Sequence, residues 1–333
     1  MIKTDYSLVK DLFLVYPKNF GSPYENLTNF YLTLYKLIPD EIRLFIIVNN
    51  ETSGEELKAQ FPKKKIEIIL IEDFDEIWLR DIMGFNTGRN RIYKPIFKPD
   101  YCQYIYTESY LEKLNNQVYE IFEKSIRAEV IEMPLVIDGG NFVTNGEIAF
   151  ITDKIFKQNP EINGYVSEIL YGYLGVKAIY LKTNSHDLLG HTDGYLNFLN
   201  KKQICVSSYP NIEFLAGDQY YIKGIQEVVK NQNLKEIPFF DRPIAEKVIG
   251  GGETENDKSS LCLGSARGIY VNFLILNDTI TLPEYTIPNY KKAIEYNTIN
   301  INNLQSLGYK VKSINCDDLG RLGGSLRCIN FTN

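Results

Sequence analysis

The sequence predicts one mixed α/β domain, with strands and helices alternating from end to end. Three observations carry that expectation. Short apolar runs rich in β-branched and aromatic residues recur along the chain. Stretches with helical periodicity lie between them. No Gly/Ser/Pro-rich linker divides the pattern, so residues 1–333 are read as a single domain.

The strand-like runs are Leu12–Tyr16, Leu44–Val48, Ile66–Ile71, Ile148–Thr152, Ala178–Leu181, Ile204–Ser207, Tyr270–Leu276 and Thr279–Leu282. Tyr24–Ile38 and Tyr110–Phe122 repeat apolar residues at the helical period. Val166–Leu174 ends at Gly175, a helix stop, and Asn289–Tyr296 starts after a proline, a helix start. Gly250–Gly252 reads as a surface loop, because it lacks the strand-then-helix context of a phosphate-binding turn. No motif-level repeat is visible, and a degenerate repeat of strand–helix units stays open.

Composition narrows the function. The chain has 333 residues, 44% hydrophobic and 23% charged, enough for a large core and too apolar for global disorder. Its net charge of −6 disfavours a nucleic-acid footprint and tolerates cationic small molecules. Lys3, Asp5, Lys10 and Asp11 interrupt the N-terminal apolar residues, and no run nears the ~18 apolar residues of a membrane span. The five cysteines are odd in number and widely spaced, which argues against a disulfide framework and for reduced thiols in the cytoplasm. Cys205 and Cys262 sit in apolar runs and read as core. The two histidines are His186 and His191.

Polar residues gather in four short segments: Trp78–Asp81, Asp138–Asn141, Gly190–Gly194 and Gly323–Cys328. In an extended segment His191 and Asp193, two apart, project to one face from a strand end. His186, Asp187, His191 and Asp193 also raise a metal reading, but the five-residue histidine spacing does not fit helical ligation. Gly323 and Gly324 let the backbone turn sharply before Cys328, and Arg327 puts a cation beside the thiol, which favours thiolate. A cysteine and a distant histidine are the minimum kit for nucleophilic catalysis. The bland alternatives are a surface turn at His191 and a buried apolar role for Cys328.

In that order the segments resemble the agmatine deiminase and bacterial Porphyromonas-type peptidylarginine deiminase family, within the guanidine-modifying superfamily. The matching stretches are Trp78–Asp81 (W-x-R-D), Gly139–Asn141 (G-G-N), Gly190–Asp193 (G-H-x-D), Tyr270–Phe273 with Pro283-Glu284-Tyr285, and Gly323–Cys328. Two positions depart from the family pattern: Arg327 stands where His is usual, and Asp138 where Glu is usual. The resemblance implies a five-bladed pseudo-symmetric propeller of ββαβ units, the pentein fold, with its active site in the central channel. It implies Cys328 as nucleophile, His191 as acid/base, and Asp81 and Asp193 as catalytic residues that also clamp a guanidinium. Asn272 and Asn141 are implied substrate contacts, with turn or strand-end hydrogen bonding as the open alternative for each, and Trp78 either stacks on the guanidinium or packs in the core. The implied chemistry is hydrolytic deimination through a covalent thiouronium, with no cofactor and no metal. The implied partner is a small guanidino compound or an arginine side chain.

An amidinotransferase shares the same intermediate, and a catalytically silent guanidinium-binding protein would keep the aspartates but lose Cys or His. Homo-oligomerisation is left open. Arg327 has two competing roles, on the thiol or on the far end of the substrate. Adjacent residues on an extended chain face opposite ways, which favours the thiol or a structural role over direct substrate recognition, and a surface arginine is the bland alternative.

Overall fold

The computed structural model describes residues 2–88, 90–101, 106–211, 215–244, 264–286 and 292–333. Cys102, Cys262, Gly250–Gly252 and the start of the Asn289–Tyr296 helix lie outside the described residues. Among the described residues the strands form five separate small sheets. The first holds β1 (Asp11–Val15), β2 (Arg43–Val48) and β3 (Ile66–Leu70), all parallel. Next come β4 (Phe85–Asn86), β5 (Arg91–Ile96) and β6 (Glu129–Val136), then β7 (Val143–Thr144), β8 (Ile148–Thr152) and β9 (Lys177–Leu181). The fourth sheet holds β10 (Leu196–Phe198), β11 (Gln203–Ser208) and β12 (Lys235–Phe240), and the fifth β13 (Leu274–Leu276), β14 (Thr279–Glu284) and β15 (Lys310–Asn315). The last strand, β16 (Phe331–Thr332), returns to the first sheet and pairs antiparallel with β1.

The same unit recurs in every sheet. A short strand pairs antiparallel with a longer one, and a helical crossover then leads to a parallel third strand. Parallel pairing requires such a crossover, which is why each unit carries its own helix. The helix Glu108–Lys124 shows the logic. Thr107 caps it by accepting the Tyr110 N–H at 3.4 Å, and Leu111, Leu114, Val118, Ile121 and Phe122 share its buried face. Burying each such side chain contributes about 1.5–3 kcal/mol. Three apolar clusters result, which fits sheets packed against their neighbours rather than around one centre.

Most sequence-based elements match within a residue or two. Val166–Leu174 is helical as expected, with Gly175 left-handed at φ +71° behind it. One strand does not form as expected. Tyr270–Phe273 bends, and only Leu274–Leu276 is strand. Side chains replace the ladder there: Asp241 Oδ1 accepts from Tyr270 N at 2.6 Å and Val271 N at 3.1 Å. Asn197 Nδ2 donates to the carbonyls of Val271 and Phe273. The repeat that stayed invisible in the sequence is plain in the topology, because it conserves strand order and not residues.

Candidate active site

Each polar segment sits in the connection from one sheet to the next. Trp78–Asp81 joins β3 to β4, Asp138–Asn141 joins β6 to β7, and Gly190–Gly194 joins β9 to β10. Tyr270–Phe273 leads into β13, and Gly323–Cys328 joins β15 to β16. Asp138–Asn141 is held behind, where Asp138 meets His191, and the other four connections converge. They line a cavity of about 350 Å³ whose walls include Asp81, His191, Asp193, Asn272 and Cys328. Trp78 is half-buried in the same wall.

Close packing explains the glycines. A Cβ on Gly140 would lie 2.5 Å from His191 Nδ1 and 3.0 Å from Asp81 Oδ1. One on Gly324 would lie 2.2 Å from the Trp78 ring. Gly323 also adopts φ +95°, which disfavours any other residue. The Cys328 turn is fastened from below. Its N–H donates to Ser325 O at 3.1 Å, and Ser325 Oγ lies 2.9 Å from the Tyr285 hydroxyl.

His191 and Asp193 reach the cavity by a different geometry from the expected strand end. His191 is extended, but Thr192–Gly194 is a single 3-10 turn. His191 Nε2 lies 3.0 Å from Asp138 Oδ2, and its Nδ1 faces Asp81 Oδ1 at 4.0 Å. The Gly140 N–H donates to Asp81 Oδ1 at 2.7 Å. The Cys328 thiol lies 3.5 Å from Asn272 Oδ1 and 3.9 Å from Asp193 Oδ2. Asn272 is fully engaged in positioning: its Oδ1 also accepts the Arg327 N–H at 3.0 Å, and its Nδ2 donates to Asp193 O at 3.1 Å.

Asn141 does not line the cavity, contrary to the substrate contact expected of it. Its Oδ1 accepts the Thr152 N–H and the Thr192 hydroxyl, each at 2.9 Å, so it ties the double-glycine turn to the His191 turn. Arg327 is corrected as well. It lies in a turn, not in an extended run, and it is buried rather than on the surface. Its side chain points behind the cavity, where Nη1 donates to Asp193 Oδ2 at 2.9 Å and Nη2 to Phe142 O at 3.0 Å.

Burial dominates the electrostatics. It pushes the Cys328 thiol well above its ordinary range, with Asp193 and Asp81 adding to the rise and Arg327 opposing it weakly. The expected thiolate is therefore not the resting form of the empty site. Burial also raises Asp81 to about 6, against the pull of His191 and the Gly140 N–H. Burial alone would depress His191, yet Asp81 and Asp138 outweigh it and raise the imidazole to about 9. At neutral pH these surroundings thus favour an imidazolium at His191 and a thiol at Cys328, while burial opposes the ionised form of Asp81.

Several residues here escaped the sequence reading. Asp138 is buried and grips His191, while Lys154 Nζ lies 3.1 Å from Asp138 Oδ2 and 2.8 Å from Leu189 O. Asp138 stood beside the double glycine and carried a signal; Lys154 carried none. The cavity lining also includes Asp75, Asp187 and Asp218, and the described lining contains neither Lys nor Arg. Asp187 is raised by its burial.

The comparisons bear on the family and the fold. The model of the Porphyromonas-type peptidyl-arginine deiminase family matches residues 2–332. A curated relative named "Putative agmatine deiminase", from Legionella pneumophila strain Paris, is 23% identical over 278 residues, covering 79% of this chain and 74% of its own length. The solved agmatine deiminase of C. jejuni superposes with a TM-score of 0.76 at 17% identity, over 100% of this chain and 96% of its own. A cysteine-to-serine variant of that enzyme with substrate bound gives 0.78 at 18% identity, over 100% and 96%. With the match running nearly end to end and the fold shared, this chain belongs to the Porphyromonas-type peptidyl-arginine deiminase family.

Proposed function

We propose that this protein hydrolyses a guanidino substrate to a ureido product and ammonia, with Cys328 as nucleophile. The observation that carries the reading is the convergence of Cys328, His191, Asp81 and Asp193 on one cavity from separate inter-sheet connections. Asp81 and Asp193 hold the guanidinium, a cation at any physiological pH, and planar pairing fixes its orientation. The bound cation lowers the thiol's proton affinity, the thiol proton passes to solvent water, and the thiolate attacks the central carbon. His191 then protonates the departing nitrogen, leaving a cationic thiouronium on Cys328. Nδ1 is the ring nitrogen for that task, because Nε2 is held by Asp138. Neutral His191 next takes a proton from water, hydroxide adds to the thiouronium, and expulsion of the thiolate frees the ureido product. Acid/base help of this kind contributes roughly 100- to 10,000-fold.

Asn272 serves here as the hydrogen-bond acceptor that orients the thiol. Trp78 forms a wall against which a planar guanidinium can lie. The acidic lining, with Asp75, Asp187 and Asp218 and neither Lys nor Arg among the described residues, favours a substrate whose far end is cationic, as in agmatine, over one ending in a free carboxylate. The five sheets are read as blades of a propeller closed by β16, with the cavity in its central channel. A thiol nucleophile suits a reducing cytoplasm, and no helix among the described residues is long and apolar enough to cross a membrane.

The test is a panel of agmatine, free arginine, peptidyl-arginine and simpler guanidines, scored for ammonia and for ureido product. Ammonia with ureido product, greatest on agmatine, is expected. A new guanidino product formed from an added amine, without ammonia, makes the enzyme an amidinotransferase instead.

A further inference from the structure

The N-terminal segment reaches the back of the cavity. Lys3 N donates to Asn86 O at 2.7 Å, and the Tyr6 hydroxyl donates to Asn145 O at 2.8 Å. Between these anchors Asp5 lies against the buried Arg327 and the half-buried Arg80. Its Oδ1 accepts from Arg80 Nη2 at 2.9 Å, and its Oδ2 accepts from Arg327 Nε at 3.1 Å and Nη2 at 2.9 Å. Arg327 spends its remaining terminal nitrogen on Asp193 Oδ2, the oxygen that lies 3.9 Å from Cys328 Sγ. Arg80 reaches the same turn through its backbone, whose N–H donates to Cys328 O at 3.0 Å. Two carboxylates and two guanidiniums thus alternate from the N-terminal segment to the nucleophile.

We propose that Asp5 is a positioning residue, which acts through Arg327 to set how much of the Asp193 charge is left for an incoming guanidinium. The proposal rests on reading Asp193 as half of the clamp. Asp5 shares Arg327 with Asp193, so neither carboxylate neutralises it alone. If Asp5 loses its charge, Asp193 becomes the one carboxylate on Arg327 among the described residues. Uncompensated positive charge then sits behind the clamp. It competes with the substrate cation for Asp193 and stabilises the Cys328 thiolate. Substrate affinity and thiol reactivity therefore move in opposite directions, which simple loosening of the fold does not produce.

The experiment uses the full chain with Asp5→Asn, Asp5→Glu, Arg327→Gln and the Asp5→Asn/Arg327→Gln pair. One arm measures KM and kcat on the best guanidino substrate by ammonia release. The other measures alkylation of each cysteine by iodoacetamide at neutral pH, read by peptide mass spectrometry. For Asp5→Asn, KM should rise roughly tenfold, less than for loss of a clamp carboxylate, because the lost charge acts on Asp193 only through Arg327. Cys328 alkylation should quicken several-fold, while Cys205 and Cys316 stay protected. Asp5→Glu should stay near the parent in both arms, and Asp5→Asn should add nothing in the Arg327→Gln background. Unchanged KM and alkylation in Asp5→Asn, full additivity with Arg327→Gln, or equal acceleration at Cys205 and Cys316 each overturns the proposal. If no guanidino compound is turned over, the deiminase reading fails separately, and the alkylation arm still decides the Asp5–Arg327 coupling.

Discussion

Replacing Asp81 with Asn should cripple turnover while making the empty protein more stable. The amide keeps the shape and can still accept the Gly140 N–H through its oxygen. What it removes is a buried negative charge. Burial raises the Asp81 carboxyl from 3.8 to about 6. Because its folded value is the higher one, Asp81 adds stability only when protonated. That contribution is full below its unfolded value and is lost as pH rises through about 6. At pH 8 the ionised group then costs about 3 kcal/mol relative to the neutral form. Asn mimics the neutral form and escapes that cost. For the substrate the balance reverses, since one carboxylate about 4 Å from a guanidinium contributes roughly 4 kcal/mol at an effective dielectric near 20. Its loss should lower kcat/KM by roughly 1,000-fold. The assay pairs ammonia release with thermal melts at pH 4 and pH 8. The variant should melt higher than the parent at pH 8 and level with it at pH 4. Activity within tenfold of the parent, or a lower melting point at pH 8, refutes the reasoning.

Asp138→Asn should lower the His191 value from about 9, because the charge 3.0 Å from Nε2 is gone, and so shift the alkaline limb of the pH–rate profile to lower pH; an unmoved limb would separate His191 from the acid role. A haloacetamidine should label Cys328 at the cavity wall in preference to the sealed Cys205 and Cys316, and mapping by mass spectrometry checks it. Arg327→Lys should lower kcat/KM moderately and alike on agmatine and arginine, since Arg327 lies behind the cavity and outside its lining; a selective loss on arginine would make it a specificity residue. Gly140→Ala should abolish activity by pushing on both His191 and Asp81, whereas retained turnover would show that the turn yields freely.

The chemistry was more legible in the sequence than the architecture. Cys328, His191 and Asp193 could be picked out because reactive residue types flanked by glycines stand apart from apolar runs. The repeat could not, because each unit conserves only the order of its strands. A trace of it was present in the numbering. Three of the four successive intervals between site residues are near-equal (138 − 81 = 57; 191 − 138 = 53; 328 − 272 = 56), and the remaining one is longer (272 − 191 = 81). Asn141 was misassigned because a buried asparagine in a turn and one at a substrate leave the same mark on a sequence. Asp5 was unreadable for a different reason: its partners Arg80 and Arg327 are distant in the chain, and a lone aspartate near the N-terminus carries no pattern. Arg327 was read from an assumed extended backbone. The turn at Leu326–Ile329 defeats that premise, although the side chain still faces away from the cavity.

The charge arrangement also bears on how a catalytic cycle would end. The empty cavity disfavours the ionised forms of both Asp81 and Cys328, and it holds His191 protonated. A guanidinium reverses the first two preferences, because its positive charge stabilises each neighbouring anion. On the proposed reading the nucleophile is therefore ionised by the substrate it attacks, and an uncharged solute entering the cavity leaves it a thiol. The ureido product is such a solute. Once water has displaced it from Cys328, it no longer offsets the clamp, and the attraction that held the reactant is gone. Discrimination against neutral compounds and release of the product then follow from the same buried carboxylates, without a moving lid.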